Sequence, residues 1–257
     1  MLSVGDSIRL SVDAAVTTRA PWYSELVEPP TSVSKAIPGV DLSIVSNDLY
    51  GDSATMSLTE GGDDILILAN DLKVDLRSMI APPVTNLDIF FTKFEVMLSI
   101  NDNNLYGDAY EMDGSVGGND KLSFGQAYTL SLFQADQVSM SISDNNLYGD
   151  AFSMTRSRGG NDILLGSGFA GGTTYLTGDS VFSDVNSRGG NDRLISGRGN
   201  DHMWGDFGGK APKFPSIKGV GGADIFEFSG IIGQDVIYDF QDGRDKIELK
   251  GFSSITK

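Results

Sequence analysis

The sequence predicts an all-β chain of stacked short strands and tight turns, and three observations carry that expectation. A two-part unit recurs four times between residues 47 and 194. Glycine is abundant, 32 residues against 8 prolines with no collagen-like triplet period, so it serves turns that need positive φ or close backbone approach. Aspartate recurs at fixed places in those turns, within a chain whose formal charge is −16.

Length and composition bound the rest. A chain of 257 residues that is 40% hydrophobic can bury a core, in one elongated domain or two small ones. The acidic balance makes nucleic acid an improbable partner and a cation the natural one. There is no cysteine, so neither disulfides nor thiolate metal sites exist, and a secreted chain would need another staple, such as bound metal. The N-terminus lacks a basic segment followed by a long apolar run, and no stretch approaches the roughly eighteen apolar residues of a spanning helix. Neither a cleaved signal peptide nor a membrane span is expected.

Residues 1–40 read as an N-terminal cap or tether, with a short alternating run from Ser7 to Val12 and a proline-bearing stretch from Pro21 to Pro38. Residues 41–208 hold the repeats. Asn47-Asp48-Leu49-Tyr50-Gly51-Asp52 leads to Gly61-Gly62-Asp63-Asp64-Ile65-Leu66, and Asn103-Asn104-Leu105-Tyr106-Gly107-Asp108 leads to Gly117-Gly118-Asn119-Asp120-Lys121-Leu122. The third copy runs from Asn145 through Leu147-Tyr148-Gly149-Asp150 to Gly159-Gly160-Asn161-Asp162-Ile163-Leu164, and the fourth from Leu176-Thr177-Gly178-Asp179 to Gly189-Gly190-Asn191-Asp192-Arg193-Leu194. The blocks lie 56, 42 and 30 residues apart (Gly61, Gly117, Gly159, Gly189), so the surplus loops out or adds strands. Leu42-Ser43-Ile44, Leu98-Ser99-Ile100 and Met140-Ser141-Ile142 alternate with period two, as half-buried strands do. Segments 72–99 and 127–142 are insertions, the first with room for a helix. Residues 209–257 form the last repeat and a C-terminal β cap of two strands across Asp242-Gly243.

Adjacent glycines let the chain turn sharply and leave carbonyl oxygens unobstructed, and the aspartate adds a carboxylate two residues before an inward apolar side chain. Hard oxygens are what calcium selects. A ladder of carboxylates without counterions repels itself, so acidity and stacking are compatible only with divalent cations between successive turns. Calcium, several ions of it, is the expected cofactor.

The Gly-Gly-Asn-Asp-x-Leu units, back to back from Gly189 to Met203, resemble the RTX (repeats in toxin) hemolysin-type calcium-binding family, over roughly residues 40–250. The resemblance implies a right-handed parallel β-roll or β-solenoid, here with interrupting insertions. It implies that Asp64, Asp120, Asp162, Asp192, Asp201 and Asp224 ligate calcium, with turn carbonyls from Gly62, Gly118, Gly160, Gly190 and Gly199. Most turns depart from the family by carrying seven or eight extra residues between Gly-Asp and Gly-Gly. In those turns Asp52, Asp108, Asp150, Asp179 and Asp206 either ligate from the far side of a longer loop or cap turns through their own backbone. The resemblance further implies secretion to the extracellular space, by a type I route without an N-terminal signal.

Tyr50, Tyr106, Tyr148 and Trp204 fall beside inward positions and are expected to form an outward column, either packed on itself or offered to sugar rings. Met56, Met112 and Met154 recur inside the enlarged turns as plugs. His202, the only histidine, excludes a multi-histidine zinc centre and an H-E-x-x-H protease, and neither a G-x-S-x-G nor a P-loop motif occurs. No catalytic residue is expected. Two functions remain: a structural, adhesive or matrix β-roll that folds on meeting extracellular calcium, and a module that binds or processes extracellular polysaccharide at the cell surface.

Overall fold

The computed structural model describes residues 7–8, 15–19, 39–45, 48–68, 72–75, 95–124, 128–131, 137–209 and 219–252, with side chains in 48–66, 99–124, 141–209 and 219–252. Among these residues there are 23 strands and no helix. Six coils follow one another. Strands β1 (Ser7–Ile8) and β2 (Ala15–Arg19) precede the first coil, which holds β3 (Gly39–Val45), β4 (Asp48–Tyr50), β5 (Thr55–Ser57), β6 (Ile65–Leu68) and β7 (Leu72–Asp75). The second holds β8 (Glu95–Asn101), β9 (Asn104–Tyr106), β10 (Ala109–Asp113), β11 (Lys121–Phe124) and β12 (Tyr128–Ser131). The coils then shorten: β13 (Gln137–Ser143) to β16 (Ile163–Leu165) through β14 (Asn145–Tyr148) and β15 (Ala151–Thr155) make the third. The fourth is β17 (Thr173–Thr177), β18 (Ser180–Ser183) and β19 (Arg193–Ile195), the fifth β20 (Asn200–Trp204) and β21 (Ile225–Ser229), the sixth β22 (Val236–Ile237) and β23 (Lys246–Lys250).

Equivalent strands of successive coils pair, which makes the chain a parallel β-solenoid. One sheet has seven strands (β1-β6-β11-β16-β19-β21-β23) and a second has six (β22-β20-β17-β14-β9-β4). The chain alternates between them, and their inward leucines stack into two buried columns: Leu49, Leu105, Leu147, Leu176 and Met203 in one, Leu66, Leu122, Leu164, Leu194 and Phe226 in the other. The expected alternating strands are in register, Leu42 with Leu98 with Met140 and Ile44 with Ile100 with Ile142. Parallel neighbours need this crossover arrangement because a two-residue hairpin cannot join them. The antiparallel pair is β2 on β3.

Three features differ from the sequence reading. The enlarged turns are strands: β5, β10, β15 and β18 form a third, four-stranded parallel sheet, extended at the turn tips by bridges through Glu60, Val116, Arg158, Arg188 and Val220. Insertions 72–99 and 127–142 likewise contribute stacked strands, β7 with β12 and β8 with β13; of the first insertion, where the sequence leaves room for a helix, residues 72–75 and 95–99 are strand and 76–94 lie outside the described residues. The two C-terminal strands lie on either side of Asp242-Gly243 as expected, but β22 joins the six-stranded sheet and β23 the seven-stranded one, so the end is a sixth coil with a short turn. Only β1 and β2 of residues 1–40, with the start of β3, lie within the described part.

Candidate metal centres

The enlarged turns bring two columns of aspartates together along one edge of the solenoid. In the first column each backbone N–H donates to the carboxylate one coil onward: Asp64 to Asp120 Oδ1 (2.7 Å), Asp120 to Asp162 (2.7 Å), Asp162 to Asp192 (2.8 Å), Asp192 to Asp224 (2.9 Å) and Asp224 to Asp245 (3.1 Å). In the second, each carboxylate accepts the N–H of the second glycine of its own turn: Asp52 from Gly62 (3.0 Å), Asp108 from Gly118 (3.0 Å), Asp150 from Gly160 (2.7 Å) and Asp179 from Gly190 (2.7 Å), with Asp206 and Gly222 bonded likewise. The enlarged turn therefore closes on itself through the Gly-Asp carboxylate.

In the second, third and fourth coils one oxygen of each carboxylate is used in this way, and the other is left over. Oδ2 of Asp108, Asp120, Asp150, Asp162, Asp179 and Asp192 is buried without a hydrogen-bond donor, and these six residues are at most 1% exposed. Burying a lone carboxylate costs several kcal/mol unless it is protonated or paired. Accordingly burial, reinforced by neighbouring aspartates, raises the proton affinity of Asp108, Asp120, Asp162, Asp179 and Asp192, and burial alone outweighs the hydrogen bonds to Asp150. Asp224 is pushed up to about 8, first by burial.

Glycine carbonyls lie beside these oxygens. A Cβ on Gly107 would sit 1.7 Å from the Gly149 oxygen and 2.2 Å from Asp120 Oδ2, and one on Gly149 1.7 Å from the Gly178 oxygen and 2.2 Å from Asp162 Oδ2. The expected carbonyl donors Gly62, Gly118, Gly160 and Gly190 also stack, with a Cβ on Gly160 meeting the Gly118 oxygen at 1.4 Å. Among the described residues no three acidic or histidine side chains close into a cage. Each of the second, third and fourth coils supplies two such carboxylates at this edge, with glycine carbonyls beside them. Hard, buried oxygen atoms that no donor reaches suit a hard divalent cation, so the residues fit calcium; it would neutralise the columns.

Two expected ligands lie elsewhere. Asp201 and Gly199 are on the opposite edge, where Asp201 N–H donates to Asp235 Oδ1 (2.9 Å) and Gly197 N–H to Asp201 Oδ2 (2.8 Å). The same register position in earlier coils is neutral: Asn145 aligns with Thr174 and Thr174 with Asp201. Asn103 donates to Asn145 Oδ1 through Nδ2 (2.9 Å) and backbone N–H (3.2 Å), and Asn145 Nδ2 donates to the Ile100 carbonyl (2.9 Å). Asp52, at the first coil, is exposed, unlike its successors.

The aromatic column needs correction. Tyr50, Tyr106 and Tyr148 stack at 5.1 and 5.0 Å between centroids, but Tyr106 and Tyr148 are buried, 3% and 5% exposed. Tyr110 and Phe152, from the third sheet, stack on each other at 4.9 Å and meet those tyrosines edge-on at 5.7 and 6.1 Å. Trp204 is stacked on Tyr238 at 4.3 Å. Ring faces point along the axis at the next ring, so a sugar finds edges. Met56, Met112 and Met154 do plug the enlarged turns, forming with Ala109, Ala151 and Phe207 the small core under the third sheet. His202 lies between Tyr175 and Tyr238 in a ring stack, its Nδ1 2.7 Å from the Tyr238 hydroxyl.

Sequence reasoning missed Asp245, Asp239 and Asp235, and the glycines of the Tyr-Gly-Asp steps. The glycines were legible as an invariant step across four blocks; the three aspartates lie in a coil that lacks the Gly-Gly signature. No family model matches this chain, and no match was found among curated proteins or solved structures.

Proposed function

We propose that the chain is a secreted calcium-binding β-solenoid that folds on meeting extracellular calcium and serves a structural, adhesive or matrix role. The observation that carries this reading is the set of six buried carboxylate oxygens without donors, two in each of the second, third and fourth coils. Charges one strand spacing apart, about 4.8 Å, repel by about 3 kcal/mol at an effective dielectric near 20. Two carboxylates per coil match one divalent cation per gap. Extracellular calcium modules bind at about 10⁻⁴ to 10⁻³ M, so a chain of this kind stays unfolded in a low-calcium cytosol and orders outside it. The RTX resemblance rests on the repeat motif. No helix among the described residues is long and apolar enough to cross a membrane.

The polysaccharide reading finds less support, since the stacked rings of the tyrosine column cover one another's faces. Circular dichroism decides the main reading: in EDTA the chain is expected to be mostly unordered, and added calcium to produce β-structure cooperatively. An unchanged spectrum sinks it.

A further inference from the structure

The carboxylate columns end at the sixth coil in a different way from how they run. Asp239 aligns with Gly205, and its two carboxylate oxygens accept the backbone N–H groups of Gly205 (2.8 Å) and Asp206 (3.1 Å). In the second coil the corresponding groups of Gly107 and Asp108 bond carbonyls of the next coil, both at 3.0 Å. Two residues on, Gln241 reaches back into the gap. Its Nε2 donates to Asp206 Oδ2 at 2.5 Å and its backbone N–H to Asp245 Oδ2 at 2.7 Å, while its Oε1 accepts from Arg244 Nη1 at 3.0 Å.

The arginine decides which way the amide faces. A guanidinium has donors only, so it must meet Oε1, and Nε2 is left toward the carboxylate. Asp150 and Asp179 hold the place of Asp206 in the preceding coils, and their Oδ2 atoms have no donor. The fifth coil thus offers a cation one open column oxygen, Asp224 Oδ2, where the second, third and fourth coils offer two each. Arg244 also favours the Asp206 carboxylate electrostatically, whereas the leading influences on Asp162, Asp179 and Asp192 are burial and other aspartates. The chain uses an amide for the same purpose on its other edge, where Asn145 satisfies Asn103.

We propose that Gln241, oriented by Arg244, takes the place of a divalent cation in the gap between the fifth and sixth coils, so that this gap closes without metal. The inference rests on the calcium reading of the other gaps. It is tested on the full chain by equilibrium dialysis against calcium, counting ions per molecule in wild type and in Gln241→Glu, which restores a second open carboxylate. The variant is expected to bind one ion more than wild type. A second variant, Gln241→Ala, frees Asp206 Oδ2 without adding a charge and supplies a second count should the first fail to fold; it too is expected to bind one ion more than wild type. Equal counts in wild type and in a folded variant overturn the inference and leave the calcium reading standing. If none of the proteins binds calcium, both fall.

Discussion

At the enlarged edge, each of the second, third and fourth coils buries two aspartates with an oxygen that no donor reaches. At the opposite edge the second, third and fourth coils carry Asn103, Asn145 and Thr174, whose polar groups are met within the chain, while at the fifth and sixth coils Asp201 and Asp235 each leave an oxygen without a donor. Both edges stack backbone turns at one strand spacing, and both must satisfy buried polar groups. An amide presents donor and acceptor together, so a column of amides satisfies itself; a carboxylate presents acceptors alone, and a column of them needs protons or metal from outside. The comparison separates a self-sufficient edge from a conditional one.

The largest expected effect comes from making the neutral edge acidic. Asn145→Asp removes the amide donor to Ile100 and buries an unpaired charge, with an expected loss of about 3–5 kcal/mol in saturating calcium, read by urea denaturation. A loss below about 1 kcal/mol would show that the two edges do not differ as described. The reverse change, Asp162→Asn, relieves repulsion in EDTA and removes a ligand in calcium. It is expected to increase the β-structure that circular dichroism finds in EDTA and to weaken calcium binding about tenfold or more, measured by titration calorimetry.

Met154→Ala tests whether the third sheet stabilises the conditional edge. Met154 is 1% exposed in the small core, so truncation should cost about 2–5 kcal/mol and lower calcium affinity through the turn it holds. An effect on stability with calcium affinity unchanged would uncouple sheet from site.

A smaller effect follows from protons. Burial raises Asp206 to about 6 and Asp224 to about 8, against an ordinary carboxyl near 3.8. The folded, metal-free chain therefore holds protons that the unfolded chain has released. That stabilisation is complete below the ordinary value and is lost as pH rises through about 6 to 8. In EDTA more β-structure should remain by circular dichroism at the acid end of this window than at its alkaline end, and saturating calcium should flatten or reverse the trend. The smallest change is Arg156→Ala: its ion pair with Asp113 is solvent-exposed at the rim of the third sheet, and no measurable shift in Tm is expected.

Much of this was legible before any coordinates. The constant step from Leu147-Tyr148-Gly149-Asp150 to Gly159-Gly160-Asn161-Asp162 announced a fixed turn, and the recurrence of Met56, Met112 and Met154 announced its plug. The opposite edge was harder to read, because Asp201 matches the repeat while Asn145 and Thr174, its register partners, look like ordinary strand residues. Tyr106 and Tyr148 were read as exposed since alternation places them opposite an inward leucine; Tyr110 and Phe152, from a sheet the sequence did not announce, cover them.

By itself the sequence determined the all-β class, the inward apolar columns and the paired aspartates of the first five coils, because each depends on spacing within one turn. Only the tertiary structure decided which oxygens remain unpaired, which edge is neutral in the second to fourth coils, and that Gln241 meets Asp206. Those outcomes depend on contacts between residues 30 to 56 positions apart, brought side by side by stacking of unequal coils. Local periodicity carries no record of which donor the neighbouring coil supplies.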